Sequence, residues 1–187
     1  MRIDLTEHPD TPCPTVVYIE ATVRRPTRDL ITLRYYIWGD IEIIVLPVAT
    51  GSHDRADGLW KHTCFEAFLS SGEGGYHEIN LSSSGQWATY SFDGYRTGMK
   101  LEERLVVVDI TTSRDEHHFL LEATVNIDGL PIAQIDGDVR LGLSVVIDVV
   151  DEEGIWKSYF ALAHPPGKPD FHHPDAFAAV LPDLEPS

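Results

Sequence analysis

Cysteine is scarce in this sequence, and long apolar runs are absent. The 187 residues include two cysteines, Cys13 and Cys64, and neither belongs to a CxxC pair. This indicates free thiols rather than a disulfide framework. No apolar run reaches the roughly 18 residues that a membrane-spanning helix needs, and the first residues lack the apolar stretch of a signal peptide. We therefore expect a cytoplasmic protein that makes no membrane contact.

Basic residues are also few, with 14 Lys and Arg against 30 Asp and Glu and a formal net charge of −16. A chain with this charge repels phosphates, so nucleic acid is not an expected partner. The sequence contains no GxSxG, P-loop, GxGxxG or HExxH motif. Nucleotide hydrolysis, dinucleotide redox chemistry and the common protease classes are therefore without support.

Apolar and polar residues alternate along most of the chain, and turn residues interrupt the alternation every 8 to 12 residues, roughly. A period of two is typical of half-buried strands. The predicted strands cover 15–25, 30–38, 41–47, 63–70, 76–82, 87–93, 105–112, 118–127, 139–150 and 156–161, and a short helical turn is predicted at 175–180.

About ten short strands with regular turns predict an all-β fold, an antiparallel β-sandwich with little helix. Neither a linker nor a shift in composition divides the chain. We therefore expect a single domain over residues 1–187, with the proline-rich tail at 164–187 docked on it.

Aromatic, polar and glycine residues occur together at positions 59–99. Strand alternation predicts that Glu78 and Asn80 share one face of their strand. If the SSGEGG segment at 70–75 forms a hairpin, Glu66 on the preceding strand lies on the same surface as Glu78. The sequence thus predicts two carboxylates and an amide on one face of a sheet.

Aromatic rings and one guanidinium lie close to these carboxylates in the sequence. Rings stack on the apolar face of a sugar, and charged groups bind its hydroxyls through charge-assisted hydrogen bonds. The alternative is that the rings belong to the core and that Glu66 pairs with Arg96 or Lys61 inside the sandwich. The candidate ligand-binding residues are Trp60, Glu66, Glu78, Asn80, Trp87, Tyr95 and Arg96.

This part of the chain resembles the DOMON-like proteins, which are relatives of the family 9 carbohydrate-binding modules. The matching residues are Leu59, Trp60, Thr63, Cys64, Phe65, Glu66, Phe68, Leu69, Tyr76, Glu78, Asn80, Leu81, Ser82, Gly85, Trp87, Tyr90, Phe92, Asp93, Tyr95 and Arg96. The tail also resembles the closing block of these proteins, at Phe160, Ala161, Leu162, His164, Pro165, Lys168, Asp170, Phe171, His172 and Phe177.

The resemblance implies a jelly-roll-like sandwich that holds a sugar between exposed aromatic rings, with a structural calcium in some members. Trp60 and Trp87 are the candidates for such a clamp, and Trp156 is a third. Thr63 stands where the sugar modules have an aspartate. For a saccharide-binding module, calcium is the cofactor that stays open, and no other cofactor is expected.

Related DOMON domains bind haem, which needs an axial His or Met ligand. The residues of these types that the chain offers are Met99, His77 and His62. A haem-binding domain is accordingly one alternative to a saccharide-binding module.

We expect a non-catalytic module that binds a saccharide-like molecule rather than an enzyme. A small glycoside hydrolase is a further alternative, since Glu66 and Glu78 are available as acid and base, and such pairs lie about 5 to 9.5 Å apart. A loop cluster of metal-ligand types is interpreted as a docked lid whose side chains bind loop backbone. Its members are His164, Asp170, His172 and His173.

Overall fold

The computed structural model describes residues 1–72, 74–130 and 138–184, which form an all-β fold. Helix is confined, in these ranges, to 3-10 turns at Ile41–Ile43, Leu59–Lys61 and Pro174–Ala176. The strands are Arg2–Glu7 (β1), Val16–Thr27 (β2), Leu30–Gly39 (β3), Cys64–Ser70 (β4), Tyr76–Leu81 (β5), Trp87–Phe92 (β6), Lys100–Leu101 (β7), Val106–Arg114 (β8), His118–Asn126 (β9), Arg140–Asp151 (β10), Gly154–Ala161 (β11) and Ala179–Val180 (β12). Within the described chain, no helix has the length and apolar character needed to cross a membrane.

The strands are hydrogen-bonded in the order β7-β6-β5-β4-β10-β11-β1-β2-β3-β9-β8, and β12 pairs with β10. All named strand pairs are antiparallel. Strand β1 connects two layers, because residues 2–5 pair with β2 and residues 6 and 7 pair with β11. We call β1, β2, β3, β9 and β8 the first sheet, and β11, β10, β4, β5, β6 and β7 the second sheet. The predicted antiparallel β-sandwich is confirmed.

The core lies between the two sheets and is filled by alternate residues of each strand. Tyr35 of β3 and Phe119 of β9 each place a ring centroid 5.4 Å from that of Phe65 on β4. All three rings are buried. Because Tyr35 and Phe119 belong to the first sheet and Phe65 to the second, these contacts fix the face of the second sheet that turns inward.

The prediction of a strand at 41–47 is wrong. Residues Ile41–Ile43 form a 3-10 turn, and the side chain of Asp40 caps it by accepting a hydrogen bond from the Glu42 N–H over 3.2 Å. Ile44 then makes an isolated bridge to Val149 rather than a strand. Local capping by an aspartate therefore overrode the β preference of an isoleucine-rich segment.

The outer face of the second sheet carries a second apolar cluster, which the tail covers. Residues Phe68, Tyr76, Ala88, Tyr90, Phe92, Val146, Ala161, Phe171 and Phe177 form it. His8 on the N-terminal side accepts the Asp10 N–H at Nδ1, so its Nε2 donates to the carbonyl oxygen of Gly167 over 3.0 Å. The tail thus crosses an aromatic surface instead of extending into solvent. Residues 185–187 of the predicted tail lie outside the described residues.

Candidate functional site

A cavity of about 360 Å³ opens on the outer face of the second sheet. Strands β4, β5, β6, β10 and β11 supply its floor, and the Leu59–Lys61 turn, the 94–99 loop and the tail supply its walls. The lining residues are Trp60, Glu66, Glu78, Phe92, Arg96, Met99, Val146, Tyr159, Pro169, Phe171 and His172. Four of the seven residues predicted from the sequence therefore meet here, namely Trp60, Glu66, Glu78 and Arg96.

Strand register explains why the two glutamates share the cavity. Glu66 on β4 lies opposite Asn80 on β5, and Phe68 lies opposite Glu78, so the glutamates are diagonal neighbours on one face. Residues of opposite parity, such as Phe65, point into the core between the sheets. The alternation in the sequence therefore predicted their common face correctly, although Glu73 of the hairpin lies outside the described residues.

Glu66 is buried at the floor of the cavity and 3% exposed. The hydroxyl of Ser144 donates to its Oε2 over 3.3 Å. Burial raises the pKa of the Glu66 carboxyl well above its usual value, and the neighbouring charge of Glu78 raises it further. This carboxyl therefore favours its protonated form more strongly than an exposed glutamate does.

Glu78 is held by a buried chain of polar side chains. The Asn80 amide donates to Glu78 Oε1 over 2.7 Å, and the Cys64 thiol donates to Asn80 Oδ1 over 3.4 Å. Burial raises the pKa of Glu78 to about 7, although the Asn80 bond and the charge of Arg96 act in the opposite direction. Asn80 does not line the cavity, and it acts by positioning Glu78.

Arg96 joins the tail to the 94–99 loop. Its guanidinium donates to Asp170 Oδ1 from Nη2 over 2.7 Å and from Nε over 3.2 Å, and the Tyr95 hydroxyl donates to Asp170 Oδ2. The backbone of Arg96 is left-handed, with φ at 53°, and its N–H donates to the Tyr76 hydroxyl. A left-handed arginine is strained, so these contacts over-determine its position. Tyr95 thus supports the site through Asp170 and does not line the cavity.

His172 forms a neutral wall between Arg96 and Glu78. Its Nδ1 is 2.8 Å from the Tyr76 hydroxyl, and its Nε2 is 4.0 Å from Glu78 Oε2. Burial lowers the pKa of the imidazole to about 4, and the nearby charge of Arg96 lowers it as well. The ring therefore carries no charge at neutral pH and does not neutralise Glu78.

The two candidate clamp tryptophans occupy different surfaces. Trp60 lies on the Leu59–Lys61 turn, is 36% exposed at the cavity, and meets the Tyr90 ring edge to face at 5.7 Å. Trp87 lies opposite Leu81 and packs against the core between the sheets, while its indole N–H donates to the His53 carbonyl over 2.7 Å. The structure does not bring Trp87 to this cavity.

Trp156 is also remote from the cavity. Its indole N–H donates to Asp151 Oδ2 over 2.8 Å beside the turn that joins β10 and β11. The sequence did not identify Tyr159 or Phe171 as site residues, and it offered Met99 only as a haem ligand; the three line the cavity from β11, the tail and the 94–99 loop. The alternation of residues along β11 could have placed Tyr159 on the outer face of the sheet. The sequence of the tail does not indicate which face the tail covers.

The predicted loop cluster does not converge on a metal. His164 contacts the Thr6 carbonyl, Asp170 is bound to Arg96, and the His173 side chain accepts from the Asp175 N–H. Among the described residues, no group of three or more His, Cys, Asp or Glu is placed to hold a metal ion. The structure therefore assigns these side chains contacts within the protein.

The haem candidates do not fit a common pocket either. Met99 lines the cavity, but His77 lies on the opposite face of β5, with its ring 3.6 Å from Glu102. His62 contacts Asp148 at 3.5 Å and is not among the lining residues. Since these three side chains face different surroundings, they do not form an axial ligand set.

Comparison with known proteins bears on the fold. No family model matches the chain, and no curated protein matches it. A solved structure from Bacteroides uniformis, described as a putative carbohydrate-binding protein, superposes with a TM-score of 0.59 at 14% identity. The match covers 94% of this chain and 83% of that one. The chain therefore shares the fold of that protein along almost its whole length.

Proposed function

We propose that this protein is a non-catalytic module that binds a saccharide-like small molecule in the cavity on its second sheet. One observation carries the proposal: a single cavity combines Trp60 at its mouth with Glu66, Glu78 and Arg96 among its lining residues. Aromatic rings bind the apolar faces of sugar rings, and carboxyl and guanidinium groups bind their hydroxyls.

The size and composition of the cavity support this function. Its volume of about 360 Å³ lies within the usual range for small-molecule sites, about 300 to 1,000 Å³. The rings of Phe92, Tyr159 and Phe171 share the lining with the polar side chains of Glu66, Glu78, Arg96 and His172. Polar groups that converge beside aromatic rings can orient a small ligand.

The similar fold of the Bacteroides uniformis protein supports the same ligand class, since that protein is described as a putative carbohydrate-binding protein. We also propose that the chain is a divergent relative of the DOMON-like proteins, on the residues that resemble them. Trp60 is then the aromatic platform of the site, and Trp87 is a scaffold residue.

A small glycoside hydrolase is the second candidate, favoured by the placement of the two glutamates. They are diagonal neighbours on adjacent strands, and such residues lie roughly 7 to 8 Å apart, with their Cβ atoms somewhat closer. Inverting and retaining glycosidases use carboxyl pairs about 5 to 9.5 Å apart, one of them with a raised pKa. The proposal of a binding module is preferred because burial raises the pKa of both carboxyls, whereas a glycosidase pair raises the pKa of one and keeps the other low.

Ligand titration and turnover separate these functions. Tryptophan fluorescence and a glycan array, run with and without added calcium, identify saccharides that bind, and Trp60→Ala is expected to weaken that binding about 5- to 150-fold. Prolonged incubation of each bound oligosaccharide is expected to release no product. Product that appears with the unaltered protein and disappears with Glu66→Gln contradicts the non-catalytic assignment. Failure of every saccharide to bind contradicts the proposed function.

A further inference from the structure

More acidic than basic side chains line the cavity. Glu66 and Glu78 both line it, and Arg96 is the one Lys or Arg among its described lining residues. Arg96 is already held by two hydrogen bonds to Asp170. The two buried carboxyls thus lack a cation of their own within the described part of the cavity.

Each of these carboxyls also keeps one oxygen available. Ser144 donates to Glu66 Oε2, and Asn80 donates to Glu78 Oε1. No hydrogen bond from the described residues reaches Glu66 Oε1 or Glu78 Oε2. The nearest ring nitrogen of His172 lies 4.0 Å from Glu78 Oε2, which exceeds hydrogen-bonding distance. The floor of the cavity therefore presents two acceptors on adjacent strands.

We propose that the ligand is a saccharide bearing a protonated primary amine, and that Glu66 and Glu78 bind this ammonium at the floor of the cavity. The inference rests on the proposed function and names the ligand class of the same site. An ammonium supplies three N–H donors and one positive charge, whereas a hydroxyl supplies a single donor. Two carboxyl oxygens from neighbouring strands match the first group better than the second.

Desolvation strengthens this preference. Glu66 and Glu78 are 3% and 4% exposed, so the charge of either is poorly solvated and each repels the other. Both effects raise the pKa of Glu66, and burial raises that of Glu78. A bound ammonium takes the place of one proton of the pair and compensates the charge of one carboxylate, while its remaining N–H groups donate to the other carboxyl. An acidic sugar meets the same two groups and is repelled.

Matched sugars test the inference directly. Calorimetric titrations at pH 7.5 compare glucose and galactose with their 2-amino and 2-acetamido forms, which differ only at one substituent. The better amino sugar is expected to bind roughly 5- to 15-fold tighter than its hydroxyl parent, because a hydrogen bond between charged groups stabilises the complex more than a neutral one does. Acetylation removes the charge and is expected to abolish the gain.

Two variants assign the effect to the carboxyls. Glu66→Gln and Glu78→Gln preserve side-chain shape, and each is expected to reduce the ratio of amino to hydroxyl affinity at least severalfold. Glu103→Gln is the matched control, since Glu103 is exposed and does not line the cavity. Circular dichroism establishes that each variant is folded, and the selectivity of the unaltered protein provides a result that is independent of the variants.

The outcomes separate the inference from the function on which it rests. Equal or tighter binding of the hydroxyl parents overturns the ammonium site and leaves the saccharide module standing. If cyclohexylamine binds as tightly as the best amino sugar, the ammonium site is supported and the assignment of a saccharide ligand is overturned. If none of the six sugars binds, the ammonium site is overturned, and the glycan array decides whether the saccharide module stands.

Discussion

The hydroxyl of Tyr35 in the first sheet donates a hydrogen bond to the main-chain oxygen of Glu66 in the second, over 2.7 Å. Both residues are buried, and the side chain of Glu66 extends from the opposite face of β4 into the cavity. The core between the sheets therefore holds the backbone of the strand that places a cavity carboxyl. Packing in the interior and geometry at the site are linked through one residue.

Loss of this hydroxyl should destabilise the fold. Tyr35→Phe leaves a buried carbonyl without this donor, and we expect the free energy of unfolding to fall by about 1 to 3 kcal/mol. Urea denaturation measures the change. Tyr159→Phe is the control, because no hydrogen bond from the Tyr159 hydroxyl joins the described residues. Equal stability of the two variants contradicts the link between the sheets.

The raised pKa values predict how stability varies with pH. The folded protein holds the Glu78 proton more tightly than the unfolded chain, whose carboxyl titrates near 4.5. Its stabilising contribution is therefore complete below pH 4.5 and is lost as the pH rises through about 7. Relative to Glu78→Gln, the unaltered protein should lose on the order of 3 kcal/mol at most over this range.

Melting temperatures at half-unit steps from pH 4.5 to 8 measure that difference. Glu103→Gln reports the background slope of a carboxylate-to-amide change on the exposed surface. A difference between the unaltered protein and Glu78→Gln that stays constant with pH would show that Glu78 is not buried as described.

The tryptophans should respond differently to truncation. Trp60→Ala removes a half-exposed ring at the cavity and is expected to weaken ligand binding about 5- to 150-fold with little change in melting temperature. Trp87→Ala removes a ring packed against the core and should cost about 3 to 5 kcal/mol of stability. Titration and thermal melting of both variants provide the measurement. If Trp60→Ala instead lowers stability and Trp87→Ala weakens ligand binding, the ligand binds elsewhere.

The bond between Arg96 and Asp170 should hold the tail against the cavity. Asp170→Asn removes the charge that receives both guanidinium bonds, so residues 164–173 should exchange backbone amide hydrogens faster. Hydrogen–deuterium exchange mass spectrometry measures this segment. Asp175→Asn, at an exposed position near the end of the tail, is the control. If hydrogen exchange is unchanged in Asp170→Asn, the aromatic contacts of the tail are sufficient to hold it against the cavity.

Strand alternation predicted the sandwich and the common face of Glu66 and Glu78, because a period of two assigns alternate residues to opposite faces. It did not predict the surface of Trp87, since that depends on pairing with Leu81 rather than on local composition. The sequence also did not predict that His172 lines the cavity. That position depends on a tail that folds back over strands nearly a hundred residues earlier, as the Tyr76 contact shows.

The position of β1 between the sheets affects the order of folding. Thr6 and Glu7 pair with Ala161 and Phe160, so this part of the sheet path cannot close until residue 161 has been synthesised. Strand β10 likewise separates β4 from β11 and is synthesised after both β1 and β4. Pairings between distant segments form slowly because loop closure precedes their stabilisation. During translation, β1, β2 and β3 have one another as partners, whereas residues 6 and 7 of β1 must wait for β11.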